Sequence, residues 1–297
     1  MMFDAIIVGG SYAGLSAALQ LARARRKILV IDAGQRRNRF AATSHGFLGQ
    51  DGRTPGDIVA DARAQLAAYS TVEFVDDQVE AVRKTDKGFS AQTVANGDFD
   101  ARRLILATGV ADELPDVPGL RERWGKSIFH CPYCHGYELD QGPIGVLAVS
   151  DMSMHHAMML PDWGPTTLFL NGAFVPDAEQ LAQLQRRGAK IESEPVVQIS
   201  GEQADVELRD GRVIQLAGLF TMSKISPSSP LAAQLGCALE EGPAGSLIQT
   251  NGAKETTVSG VFACGDATRS FSSVAISVAD GATAGAGTHQ SLIFRDH

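Results

Sequence analysis

The chain opens with a short apolar stretch, residues 3–8, of the kind that forms a buried strand. A glycine-rich turn follows, then a helical pattern over 15–25 and a second apolar run over 27–31 that ends at Asp32. Strand, turn, helix and strand in about 30 residues predict one βαβ unit. Residues 51–70 read as a loop and a helix. Residues 72–82 alternate like a strand, and 88–96 with 99–107 predict a hairpin about Asn96-Gly97. Pro115, Pro118 and Gly119 break the pattern at a domain crossover. A second α/β block follows: strand 144–149, helix 155–160, strand 167–170, helix 178–187, then a strand-like stretch 196–220 with turns at Gly201 and Asp210-Gly211. Pro227 and Pro230 mark the return crossover. The tail gives a strand over 260–263 and a helix of small residues from Ser272.

The expected organisation is α/β: one domain formed by residues 1–112 and 240–297, interrupted by a smaller Rossmann-like insert over 113–239. A length of 297 residues agrees with two domains at roughly 150 residues each. Acidic residues outnumber basic ones, 34 to 26, and a net charge of −8 offers no basic surplus for phosphate backbones or anionic membranes. No nucleic-acid or membrane partner is therefore expected. Residues 5–22 carry no charge, but glycines and serines interrupt them and Asp4 stands where a basic leader segment would be. A cytoplasmic location is the resulting expectation. Four cysteines are too few for a disulfide scaffold, so their chemistry is local.

Gly9-Gly10-Ser11-Tyr12-Ala13-Gly14 lies where a dinucleotide fingerprint belongs. Gly9 permits the tight turn after the strand, Gly14 close packing of the helix, and the helix N-terminus offers free N–H groups to a pyrophosphate. Ser11 replaces the middle glycine. Asp32 is placed for a ribose hydroxyl, and Arg36, Arg37 or Arg39 for the adenylate phosphate. Further on, Cys131-Pro132-Tyr133-Cys134 can close a small disulfide loop and exchange it with an external dithiol, and neighbouring His130 and His135 can move a proton. The residues alone leave open a c-type haem attachment, a zinc site and a pair of buried structural thiols. Cys237 and Cys264 read as packed core residues, and no metal site is expected.

Two segments narrow this. Leu104-Ile105-Leu106-Ala107-Thr108-Gly109 and Gly260-Val261-Phe262-Ala263-Cys264-Gly265-Asp266 resemble the crossing loop and the second FAD motif of two-dinucleotide-binding-domain flavoproteins. Over essentially its whole length the chain resembles the low-molecular-weight thioredoxin reductases. With His45-Gly46-Phe47-Leu48 and His130-Cys131-Pro132-Tyr133-Cys134-His135-Gly136-Tyr137-Glu138, it looks like the branch containing the gliotoxin, holomycin and romidepsin dithiol oxidases. The resemblance implies FAD as cofactor, a homodimer, and cofactor contacts from Gly9, Ser11, Tyr12, Ala13, Gly14, Asp32, Ala33, Arg39, His45, Val79, Thr108, Gly109, Gly265, Asp266 and Val274. It places Cys134 against the flavin, Cys131 against the substrate, and His135 as the base that takes the dithiol proton. It leaves His130 and Glu138 as assisting groups. The implied activity is oxidation of a small-molecule dithiol with oxygen as acceptor, with reduction of a thioredoxin-like protein as the alternative.

A thioredoxin reductase also needs a second nucleotide site in the insert, with a glycine turn after the strand at 144–149 and a basic cluster after the next strand. Here the turn is Ser150-Asp151-Met152-Ser153 and the later loop Asn171-Gly172-Ala173-Phe174. A degenerate NADPH site is the expectation.

Overall fold

The structure is a computed structural model and describes residues 2–295. Of these, the residues up to Arg39, Gly46–Ala111 and those from Ile225 onward form one compact unit, and Phe40–His45 with Asp112–Lys224 a second.

The first unit begins with β1 (Met2–Val8), α1 (Tyr12–Arg23), β2 (Ile28–Asp32), α2 (Pro55–Ala67), β3 (Val72–Asp76), β4 (Val79–Thr85), β5 (Gly88–Thr93) and β6 (Gly97–Leu106). The alternating stretch 72–82 falls in two strands, β3 and β4, where its pattern predicts one. Asp77 turns the corner: its carboxylate accepts hydrogen bonds from the backbone of Gln78, Ala95 and Asn96 and from the Asn96 amide. That ties the corner to the tip of the β5–β6 hairpin and sends β4 back antiparallel to β5.

The chain crosses between the units in β7 (Val110–Glu113). The second unit then contains α3 (Leu120–Arg123), β8 (Ile128–Phe129), α4 (Pro132–His135), β9 (Ile144–Leu147), α5 (Met154–Met159), β10 (Thr166–Phe169), α6 (Ala178–Arg187), β11 (Lys190–Glu192), β12 (Val196–Ser200), β13 (Asp205–Leu208), β14 (Val213–Ile214) and β15 (Gly218–Thr221). Its parallel sheet runs β11-β10-β9-β15-β8, beside a small antiparallel sheet β12-β13-β14. Helix α6 has the bounds its sequence predicts because both ends are signalled. Asp177 and Gln180 form a reciprocal capping box, and Gly188 ends the helix in the left-handed conformation.

The chain returns in β16 (Lys224–Pro227), followed by α7 (Leu231–Gln234), β17 (Leu239–Gly242), β18 (Gly245–Ile248), β19 (Val261–Ala263) and α8 (Val274–Phe294). The sequence marks the return crossover at Pro227 and Pro230 but counts the first domain again only from residue 240. In the structure Leu231, Ala232 and Cys237 already belong to the first unit's core, packed with Val79, Val82 and Ile248.

The first unit's large sheet has the order β3-β2-β1-β6-β5-β4, with β19 also pairing β6. Its central strands are parallel, and side chains alternate between two buried faces. Ile6, Leu29 and Leu104 pack on one face and Ile7, Val30, Ile105 and Phe262 on the other. Helix α8 lies on α1 through its small residues. A side chain at Gly281 would overlap the Ala13 carbonyl and one at Gly285 would crowd Ala17. Ser16 adds a hydrogen bond to the Val278 carbonyl at 2.7 Å. Among the described residues no helix is long and apolar enough to cross a membrane.

Candidate active site

Strand register assembles the first group of site residues. Val8 stands opposite Ile31 and Leu106, and Leu106 opposite Ala263, so four loops leave the sheet at one edge. These loops begin at Gly9, Asp32, Ala107 and Cys264. In open parallel sheets this carboxyl edge is where nucleotides bind.

Gly9 has φ +104°, and a Cβ there would overlap the Ala107 carbonyl; one at Gly14 would overlap the Gly9 carbonyl. The Gly10 N–H donates to Asp32 Oδ1 at 3.0 Å, and a Cβ on Gly10 would press on the Asp32 side chain at 2.8 Å. Ser11 caps α1 with no side-chain bond, which leaves the N-terminal N–H groups to a ligand. The Tyr12 hydroxyl meets the Asn38 amide at 3.0 Å, and Ala13 is buried under Gly265. Asp32, Ala33, Gly34 and Gln35 line an open groove of about 410 Å³ with Arg63 and Asp76–Gln78, next to Val79 at the start of β4. Arg39 bonds the Arg36 carbonyl at 2.8 Å. The carbonyls of Thr108 and Gly109 accept hydrogen bonds from Ser228.

Asp266 follows Gly265 in a short 3-10 turn, just before Val274 opens α8. Its carboxylate accepts from Arg37 at 2.9 Å and from the hydroxyls of Ser272 and Ser277. Burial opposes its ionisation, but the Arg37 charge and the two hydroxyls outweigh it and hold the carboxyl below the usual range. Gly10, Ser272 and Ser277 carry no sequence signal of their own. They emerge because Asp32 and Asp266 need partners.

The second group lies in the other unit. Cys131 and Cys134 form a disulfide with Cα atoms 5.3 Å apart, Cys131 at the N-cap of the single-turn α4. Pro132 suits the first helical position because its missing N–H has no acceptor to lose. His135 stacks on Phe129, ring centroids 4.3 Å apart, and His130 on Trp124 at 5.9 Å. Burial, reinforced by the charge of His45, pushes His135 down to about 4. Gly136 lets Trp163 close on the end of α4, since a Cβ would sit 2.8 Å from the indole. Glu138, in the next turn, faces His45 Nδ1 at 3.4 Å. His45 therefore belongs to the same unit as the disulfide.

His156 is buried among apolar side chains beside Phe220 and bonded to the His130 backbone, and burial pushes it down to about 4. It supports the chain segment that enters the cysteines.

A glycine-rich turn, an acid at the end of the second strand and a redox disulfide in one chain match a known description. Pyridine nucleotide-disulphide oxidoreductase is the family description that fits residues 3–281. The chain belongs to that family. Within it, "Thioredoxin reductase tcpT" of Claviceps purpurea is 35% identical over 95% of this chain and 92% of its own. An oxidoreductase crystal structure from Agrobacterium tumefaciens is 56% identical, with TM-score 0.97 and full coverage of both chains. The crystal structure of HlmI is 34% identical, with TM-score 0.90, covering 98% of this chain and 92% of that one. As a member of this family the chain is an FAD-dependent disulfide oxidoreductase of thioredoxin reductase-like fold. The residues at the sheet edge fit FAD: the first turn of α1 has N–H groups without a side-chain cap to offer a pyrophosphate, and Asp32 and Asp266 offer acceptors for hydroxyls.

Proposed function

We propose that this protein oxidises a small-molecule dithiol to a disulfide, passing two electrons through Cys131 and Cys134 to FAD and on to oxygen. Substrate dithiol and oxygen would become substrate disulfide and hydrogen peroxide, two electrons and two protons moving together. The observation that carries this reading is the state of the second nucleotide turn. After β9 the Val149 N–H donates to Ser153 Oγ at 3.1 Å and the Met152 N–H to Ser150 Oγ at 3.3 Å. The turn thus bonds its own donors, with Asp151 beside them, where a pyrophosphate would need open N–H groups. The loop after β10 is similarly engaged, Asn171 accepting from the Val196 N–H at 2.9 Å. A nicotinamide donor has poor footing there, which favours electrons entering as a dithiol.

FAD, when bound, supplies the two-electron acceptor that restores the disulfide. In our reading Gly9, Ser11, Tyr12, Ala13 and Gly14 hold its pyrophosphate, Asp32 and Ala33 its ribose, Arg39 its adenylate side, and Asp266 its ribityl chain. Val79, Thr108, Gly109, Gly265 and Val274 shape the remaining walls. Cys131 exchanges with substrate, Cys134 faces the flavin, and His135 removes the dithiol proton. Homodimerisation and a cytoplasmic location complete the proposal by resemblance.

The second reading is a thioredoxin reductase-like enzyme fed by NADPH, favoured by the name of the Claviceps relative. Anaerobic mixing separates the two. Purified holoenzyme is mixed with NADPH, NADH or dithiothreitol while flavin absorbance is followed. Bleaching by the dithiol alone, reversed by air with peroxide formed, is expected. Rapid bleaching by NADPH would overturn the oxidase reading in favour of the reductase.

A further inference from the structure

Two imidazoles near the disulfide have opposite surroundings. His135 lies flat on Phe129 in a largely buried position. His45, on the 40–45 segment that packs with the second unit, presents Nδ1 to Glu138 Oε1 at 3.4 Å and Nε2 to Thr43 Oγ1 at 3.0 Å. Glu138 is carried by the Tyr137–Leu139 turn, directly after the cysteine helix. The His45 motif and the acid after the cysteines, far apart in sequence, therefore meet beside one redox centre.

We propose that His45 and Glu138 form a proton-holding pair beside the disulfide: His45 holds a proton released from the dithiol, and Glu138 is the positioning residue that balances its charge. This rests on the dithiol-oxidation reading above. An imidazolium is stabilised by a carboxylate at contact distance and disfavoured against a benzene ring in an apolar pocket. A charge on His45 also disfavours one on His135. The groups facing His45 include Glu138 and the Thr43 hydroxyl, with His135 close enough to feel its charge.

The step balances as follows. One substrate thiol gives its proton to His135, and its sulfur attacks Cys131 Sγ. The Cys131–Cys134 bond breaks, its electron pair leaving on Cys134. That proton is then held on His45 against Glu138. The second substrate thiol then attacks the sulfur joined to Cys131, closing the substrate disulfide. Cys131 leaves with that electron pair and takes that thiol's proton. The substrate loses two electrons and the cysteine pair gains them.

The test is anaerobic stopped-flow reduction of the holoenzyme by dithiothreitol, across pH. Glu138→Gln and His45→Gln are each expected to slow flavin bleaching about 10- to 100-fold at pH 7. The deficit should vanish above about pH 9, where the thiol ionises unaided. Glu138→Asp should recover most of the rate, and the double variant should be no slower than either single one. Wild-type rates in Glu138→Gln, or a deficit that persists at high pH, would overturn the pair while leaving dithiol oxidation standing. A wild-type flavin that the dithiol does not bleach would overturn the reading beneath it and the pair together.

Discussion

At the scale of single residues, the site depends on partners that share a charge or a bond. Cys134 has one chemical task, so Cys134→Ser should retain FAD and its yellow colour while losing dithiol turnover altogether. Normal turnover in that variant would remove the disulfide from the mechanism. Asp266 is held ionised, against its burial, by Arg37, Ser272 and Ser277. Asp266→Asn leaves Arg37 facing an amide, and a hydrogen bond to a charged group contributes roughly 1.5–3 kcal/mol. FAD affinity should fall about 10- to 100-fold, read from the fluorescence of released flavin. Unchanged affinity would show that this carboxylate does not shape the cofactor site. The sequence made Asp266 and both cysteines visible because their chemistry demands fixed residue types at fixed spacing. It did not make Ser277 or Gly10 visible, since serine and glycine are common and their roles exist only through a neighbour brought close by folding.

At the scale of elements, legibility follows the same division between local and distant causes. Helix α6 was readable to the residue because a capping box and a terminal glycine are local signals. The split of 72–85 into β3 and β4 was not, since it depends on Asp77 bonding to the remote hairpin tip. Helix α8 shows the same limit: its run of small residues is plain in the sequence, but that they close on α1 of the same chain is a fact of folding. Gly281→Val should therefore act within the fold. Its side chain would collide with the Ala13 carbonyl, and overpacking of this kind costs typically 1–3 kcal/mol. A lower urea midpoint and weaker FAD retention are expected together, because Ala13 lies in the first turn of α1. Ala286→Val, on the exposed side of α8, should change neither. Equal losses in the two variants would mean the α1–α8 contact is not what constrains Gly281.

At the scale of the whole molecule, the buried titrating groups with shifted pKa divide between the units in a way that sets an order of acid unfolding. The second unit buries His156 and His135, both pushed down to about 4. A histidine whose folded pKa lies below its unfolded value favours folding only while neutral. Its contribution is full above about 6.5 and is lost as pH falls towards 4. For His156, a shift from 6.5 to about 4 corresponds to at most about 3 kcal/mol. The first unit relies instead on Asp266, Asp280 and Glu255, all held below their ordinary values. Burial opposes ionisation in each, and Arg37, the pair Arg269 and Lys254, and Arg295 outweigh it in turn. A depressed carboxylate keeps its stabilising contribution above its unfolded pKa and loses it only as pH falls through the folded one, so this loss belongs below about pH 4. Acidification from pH 7 to 5 should thus loosen the second unit first. Hydrogen exchange should quicken over residues 128–221 while 2–106 and 261–294 keep their protection. His156→Phe, which removes the proton site and retains an aromatic ring beside Phe220, should flatten that early phase without altering the later one. Simultaneous loss of protection in both units near pH 5, or an early phase untouched by His156→Phe, would show that these histidines do not govern the acid limb.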